Sequence, residues 1–169
     1  DAETGQVLYA KNAHKPLPPA SLTKIMTAIV VLERCDLDAV VKASERAVNT
    51  QASSMHLRVG EEVKVRDLLY ALMLRSANDA AVALAEHTAG SVEAFAKLMN
   101  EKAQALGAKH THFVNPHGLH DPRHLSTAYD LALITRYAMQ NETFRAIVKT
   151  PYYIVERSMN QDDLWMVNK

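Results

Sequence analysis

The sequence is poor in the features that usually fix a protein's class at a glance. It has one cysteine, Cys35, in 169 residues. A single cysteine cannot close an internal disulfide, so a disulfide-stapled scaffold is excluded and the redox compartment is not indicated. No catalytic motif surrounds Cys35, which reads as a small apolar filler near a helix end. No run of 18 apolar residues occurs, so these residues contain no transmembrane helix. No charged-then-apolar leader opens the chain. Its start, Asp1-Ala2-Glu3-Thr4-Gly5, reads as a mature or trimmed product, and that absence does not argue for the cytoplasm. An excess of either charge is also missing. Lys plus Arg and Asp plus Glu number 19 each. The signs are mixed along the chain, so bulk charge points to neither nucleic acid nor a membrane surface as partner. There is no internal repeat, low-complexity tract or linker, which predicts one domain over 1–169.

What is present suits a folded domain. Apolar residues make up 48% and charged residues 22%, ordinary values for a globular protein long enough to bury a core. Residues 5–11 read as a short strand. Pro16, Pro18 and Pro19 forbid a helix just before Ser21, where a helix begins. Ile25, Ile29 and Leu32 recur at helical spacing, and Met26 and Val30 widen the stripe, so that helix should be central and buried. Val40, Val41, Leu57, Val59, Val63 and Val65 suggest short strands, with Gly60 at a turn. Helices are expected from about Arg66 to Leu74, from Asp79 to His87, and from just after Ser91 to about Leu106, where Gly107 ends the last. Residues 108–125 form a loop with five histidines. Ser126 or Thr127 then caps a helix to about Met139. A helix over 142–149 stops at Pro151, a strand covers 151–156, and the remainder reads as irregular.

Two short patterns carry chemistry. A serine hydroxyl is a poor nucleophile unless a base stands beside it. In Ser21-Leu22-Thr23-Lys24 the serine and lysine are three apart on a helix, hence on one face. The positive helix start and burial both disfavour a charged lysine, which can then take the serine proton. A plain alternative exists: serine is a common N-cap, and Ser-x-x-Lys arises by chance about once in a chain of this size. The second pattern is Ser76-Ala77-Asn78, between two helical segments. Its hydroxyl could relay a proton, and its amide could hold a substrate carbonyl. Again the plain alternative is a helix cap.

The flanks of both patterns go further. Pro19-Ala20-Ser21-Leu22-Thr23-Lys24-Ile25-Met26-Thr27-Ala28 closely resembles the nucleophile segment of the D-alanyl-D-alanine carboxypeptidases, the low-molecular-mass penicillin-binding proteins. Asp67 to Ala81 resembles their second motif with its flanks. Asp1 to Tyr9 and Thr111 to Leu119 resemble further segments, so the likeness spans nearly the whole chain. The pairing of Ser-x-x-Lys with Ser-x-Asn is a known mechanistic combination in penicillin-binding proteins and β-lactamases. The resemblance implies that Ser21 is the nucleophile, Lys24 its base, Ser76 the proton relay and Asn78 a substrate-binding residue. It implies a mixed α/β (α+β) fold, with an antiparallel sheet packed by helices and a helical lobe, of the penicillin-binding and serine β-lactamase-like transpeptidase type. It implies a peptidoglycan stem peptide ending in D-Ala-D-Ala as substrate, and acylation by β-lactam antibiotics. It implies no cofactor and no metal, and an extracytoplasmic place in the cell envelope, often with a membrane tether that would lie outside this chain.

The family's third motif, Lys-Thr-Gly, is not found. Lys149-Thr150-Pro151 is a decoy, since proline cannot join a central strand and the triplet follows a helix. An Asn-Lys pair such as Asn168-Lys169 precedes that motif in the family. The expectation is a fold incomplete at its C-terminal end, neither active nor well folded as 1–169 alone. Ala52 stands where the family often has glycine, with no mechanistic effect expected. Among His110, His112, His117, His120 and His124, spacing allows a zinc site, but no cysteine and no His-Glu-x-x-His helix supports one. A Ser-His-Asp triad lacks a nucleophile elbow. A class A β-lactamase would want Ser-Asp-Asn at 76–78 and a later Glu for deacylation. A penicillin- or peptidoglycan-binding module without turnover is the non-enzyme alternative.

Overall fold

The helix after the three prolines organises the molecule. In the computed structural model, which describes residues 1–159 and 162–168, a single 3-10 turn over Ala20–Leu22 leads into α1, Thr23–Arg34. Thr23, Lys24 and every residue from Met26 to Val31 are buried. A helix buried on almost every face has to be surrounded. Five helices surround it: α3 (Val65–Leu74), α4 (Asn78–Ala89), α5 (Val92–Ala105), α6 (Ala128–Ala138) and α7 (Glu142–Lys149) all pack on α1. The small residues Ala80, Ala81, Ala83 and Ala85 are buried on α4, where they permit close approach to its neighbours.

Capping side chains set the boundaries. Ser91, Thr127 and Asn141 accept the N–H of Ala94, Asp130 and Phe144, opening α5, α6 and α7, the ordinary N-cap geometry. Gly90 closes α4 in the left-handed region, at φ +80. Proline ends α7 as expected, so Lys149-Thr150-Pro151 straddles a helix end and not a cleft-lining strand.

Two small antiparallel sheets complete this mixed α/β arrangement. β1 (Val40–Lys42) pairs with β2 (Glu62–Lys64), setting Val41 opposite Val63, both buried. β3 (Tyr152–Val155) pairs with β4 (Leu164–Val167), with Ile154 opposite Trp165 and Tyr152 opposite Val167. Val155 and Met166 point inward, while Tyr152, Ile154, Trp165 and Val167 face outward, the two-residue alternation of a strand. Tyr153 stacks on Tyr70, ring centroids 3.6 Å apart, and its hydroxyl donates to Asp67 at 2.8 Å. That fixes the sheet to α3.

Several expectations are corrected. Residues 5–11 form no strand, and Val7, Leu8 and Tyr9 are exposed. A strand needs a neighbour, and no described strand runs beside this segment. Residues 1–6 instead fold into a turn around the Asp1 carboxylate, and Arg136 of α6 donates to the carbonyls of Ala2 and Glu3. Leu57 and Val59 lie in a loop. Val65 opens α3, where Asp67 in the first turn complements the helix dipole. A four-residue helix, α2 (Glu45–Val48), sits where only strands and connections were expected, capped by Ser44. The last stretch, expected to be irregular, contains β4. Lys169 of the Asn168-Lys169 pair lies outside the described residues. Asn168 donates its amide to the carbonyls of Val148 and Thr150, binding β4 to the end of α7.

Candidate active site

Ser21 lies at the centre of the 3-10 turn, and Lys24 follows one turn later inside α1. Ala20 takes φ +48, and Gly118 takes φ +89. A Cβ built on Gly118 would stand 1.9 Å from the Ala20 carbonyl oxygen and 3.0 Å from Thr23 Oγ1. Only glycine lets the loop come this close to the nucleophile turn.

Three side chains meet here. Lys24 Nζ lies 3.2 Å from Ser21 Oγ. Ser76 Oγ donates to Ser21 Oγ at 3.0 Å. Lys24 Nζ also donates to the His117 carbonyl at 2.8 Å. Ser76 sits between α3 and α4 at φ +58, an uncommon conformation for a residue with a side chain and one that gathers at functional sites. Lys24 is only 2% exposed. Burial lowers its pKa from 10.5 to about 8, since desolvation disfavours the ammonium. A measurable fraction is therefore a neutral amine near pH 7. That amine can accept the Ser21 proton along the 3.2 Å contact.

The fourth expected residue, Asn78, is the first residue of α4 and is nearly buried. One N–H of its amide goes to the Gln51 carbonyl at 2.8 Å, and its backbone N–H goes to the Ser53 carbonyl. Asn78 thus anchors the 51–55 loop beside the serines. Asp79 extends that anchorage. Its buried carboxylate accepts Ser54 Oγ, the Met55 N–H and the Leu57 N–H. Glu61 and Arg157, 2.6 Å apart at 0% and 3% side-chain exposure, tie the same loop to the end of β3. Arg157 also donates to the Met55 and His56 carbonyls. Ala52 in this loop has φ +70, which accounts for the glycine common at that place in the resembled family: only glycine holds such a φ without strain.

The histidine loop is a strap over α1. Asn115 folds it into a tight turn, donating to the Leu119 carbonyl and accepting the Gly118 N–H. Thr27 of α1 donates to the Pro116 carbonyl at 2.7 Å. His117 is half-buried and His124 buried, while His110, His112 and His120 are exposed. Among the described residues no three His, Cys, Asp or Glu side chains are grouped to hold a metal. Cys35 caps α1, its Sγ 3.2 Å from Thr88 Oγ1.

Sequence reasoning singled out Ser21, Lys24 and Ser76, and the structure brings them together. It missed the His117 carbonyl on Lys24, the Gly118 contact and the Asp79 anchorage. Asn115-Pro116-His117-Gly118 did offer a signal, an Asn three residues before a Gly, which is a turn composition. Asp79 offered little, because an acidic residue in a first helical turn is common anywhere.

A family model for D-alanyl-D-alanine carboxypeptidase matches residues 1–169. The chain belongs to that family. It is similar to the D-alanyl-D-alanine carboxypeptidase DacF of Bacillus subtilis, with 39% identity over 99% of this chain and 44% of the relative. It is also similar to the D-alanyl-D-alanine carboxypeptidase of Streptomyces sp. K15, with 41% identity over 89% of this chain and 56% of the relative. The chain thus spans about half the length of these carboxypeptidase-family relatives. Among solved structures, the D-alanyl-D-alanine carboxypeptidase from Mycobacterium tuberculosis H37Rv superposes with a TM-score of 0.92 at 35% identity, covering all of this chain and 64% of that one. A variant of the Streptomyces K15 DD-transpeptidase gives 0.90 at 39% identity, over 98% and 70%. These neighbours share the penicillin-binding DD-peptidase fold, and the present chain has part of it.

Proposed function

We propose that this chain carries the acylating centre of a serine-type D-Ala-D-Ala carboxypeptidase. The observation that carries the reading is the convergence of Lys24 Nζ and Ser76 Oγ on Ser21 Oγ, at 3.2 and 3.0 Å. Ser21 Oγ attacks the carbonyl between the two D-alanines of a peptidoglycan stem peptide. Its proton passes to neutral Lys24. The carbonyl oxygen becomes an oxyanion, for which the Ser21 backbone N–H at the helix start is one donor. As the C–N bond breaks, Ser76 passes a proton from Lys24 to the departing D-alanine amine. Water then cleaves the acyl-serine ester and restores Ser21. Asn78 has a second amide N–H, and we assign it to a substrate carbonyl.

β-Lactams enter the same path, because the ring amide stands where the scissile amide would. After the ring C–N bond breaks, the leaving amine stays tethered, so an acyl-enzyme persists. Peptidoglycan lies outside the cytoplasmic membrane, which places the reaction in the cell envelope. None of the described helices is long and apolar enough to cross a membrane.

The test is intact mass spectrometry of the full-length protein with benzylpenicillin, alongside D-alanine release from a D-Ala-D-Ala peptide. A lasting penicilloyl adduct that Ser21→Ala abolishes, together with D-alanine release, is expected. An adduct without D-alanine release would favour a binding module. Rapid penicillin turnover would favour a β-lactamase. No adduct and no turnover would refute the acyl-serine reading.

A further inference from the structure

The strap carries one buried group that the chemistry above leaves unused. His124 is 2% exposed, yet no step in the reaction requires it. Both of its ring nitrogens are engaged. The Val114 backbone N–H donates to Nδ1 at 3.0 Å. Nδ1 therefore holds no proton, and the neutral ring carries its proton on Nε2. Nε2 lies 2.7 Å from Thr23 Oγ1, so it donates to that hydroxyl. The ring also packs at a tilt on Phe113, 5.5 Å between centroids. One imidazole thus joins the start of α1 to the strap.

The strap has a second attachment one residue further along the helix. There Lys24 Nζ donates to the His117 carbonyl. Thr23 and Lys24 are sequence neighbours; Val114 directly precedes the Asn115 turn and His117 lies within it. With the Thr27 bond to the Pro116 carbonyl, the histidine bond and the lysine bond pin the same pair of segments at three points. Loss of the histidine pin loosens the strap beside Val114, and the His117 carbonyl shifts relative to Lys24 about the Thr27 bond that remains.

We propose that His124 is a positioning residue of the acylating centre: by clamping the strap to Thr23, it holds the His117 carbonyl where it orients Lys24 toward Ser21. The inference rests on the reading of Ser21 as the acylated nucleophile. The clamp needs the neutral ring. A proton on Nδ1 would face the Val114 N–H across 3.0 Å, donor against donor. Burial first lowers the His124 pKa to about 4, with exposed His112 reinforcing the shift and Asp121, itself paired with Arg123, opposing it. Nearby His117 is lowered likewise, by burial and then by Lys24. The ring thus stays neutral across the range in which Lys24 titrates.

The experiment uses the full-length protein and benzylpenicillin, and separates the acylation rate from the affinity of the pre-covalent complex. His124→Phe keeps a ring and loses both hydrogen bonds. Thr23→Val removes the same bond from the helix side. Each should slow acylation by about 30- to 100-fold, the scale of a ~1 Å misplacement, with pre-covalent affinity unchanged. His124→Gln offers an acceptor and a donor on one planar group, and should stay within about fivefold of the wild type. The double variant Thr23→Val with His124→Phe should be no slower than the slower single variant, because both act through one bond. Should His124→Phe not fold, Thr23→Val and His124→Gln decide the question. Wild-type rates in Thr23→Val or His124→Phe, a glutamine variant as slow as the phenylalanine one, or multiplying losses in the double variant would each overturn the clamp alone. Failure of the wild-type protein to acylate would overturn the reading of Ser21, and the clamp with it.

Discussion

Replacement of Gly118 by alanine is the most severe small change the structure identifies. The new Cβ would lie 1.9 Å from the Ala20 oxygen and 2.4 Å from its carbonyl carbon, both backbone atoms with no rotamer to turn away. Ordinary carbon–oxygen contact is ~3.3 Å, so the strap and the nucleophile turn must separate by roughly 1.4 Å, given the 1.9 Å contact. Gly118 also has φ +89, where an L side chain costs about 1–3 kcal/mol. Overpacking of this kind adds about 1–3 kcal/mol. The combined loss should be about 3 kcal/mol, a fall in Tm of about 5–10 °C in a domain of this size. The effect on chemistry should be larger than on stability. The clash falls on the residue before Ser21 and moves the loop whose carbonyl holds Lys24. A displacement of ~1 Å in a catalytic group costs on the order of 100-fold. The assay is the second-order rate of benzylpenicillin acylation, followed by intact mass, beside a thermal melt of the same sample. A Gly118→Ala protein that melts and acylates like the wild type would refute the claim that glycine is required here by steric contact.

Other outcomes follow from named contacts. Acylation should rise with pH through about 8, because the Lys24 pKa is lowered to about 8 by burial and only the neutral amine takes a proton; a flat profile from pH 6 to 9 would contradict this. The same shift means that the unfolded chain binds more protons between pH 8 and 10.5, so stability should rise with pH across that window, and denaturant midpoints would check it. Ser76→Ala should slow acylation by about 10²–10⁴-fold, the range for a lost proton-transfer group, with little change in the melt. Glu61→Gln removes the charge from the 2.6 Å contact with Arg157 and should cost about 1.5–3 kcal/mol, the range for a hydrogen bond to a charged group, read by urea unfolding. Ala52→Gly should stabilise by about 0.5–1 kcal/mol, since a left-handed alanine costs about 1–2 kcal/mol and glycine returns part of that through the unfolded chain.

Much of the helical architecture was legible because its signals are local. Pro19 before Ser21, Thr127 as a cap and Pro151 after α7 act within one turn of chain, and the observed bounds fall close to where they point. The strands were less legible. Val7-Leu8-Tyr9 has strand-like residues and no strand beside it, while Leu164–Val167 forms a strand only because Tyr152–Val155 lies opposite. Propensity records which side chains suit a sheet, not whether a partner arrives. The candidate site shows the same division. Ser21 and Lys24 are one helical turn apart, so their meeting was readable from spacing. Ser76 was readable only through its flanks. The His117 contact uses a backbone carbonyl, which every residue has and no residue type advertises. The Asp79 and Glu61 anchorages depend on loops folding back, and sequence spacing does not encode that.

The serines and the lysine draw on widely spaced parts of the chain. Ser76 is 55 residues from Ser21, and the carbonyl that holds Lys24 is 93 residues away. A fragment that lacks one of these segments, or a partly collapsed state, does not assemble these contacts, since they appear only when helix ends and strap are docked together. Penicilloylation should therefore report on the native population itself. In a partly denatured sample, the fraction of molecules that label in a short pulse should equal the fraction folded, at every urea concentration through the transition. An antibiotic would serve in that experiment as a stain for correctly folded molecules.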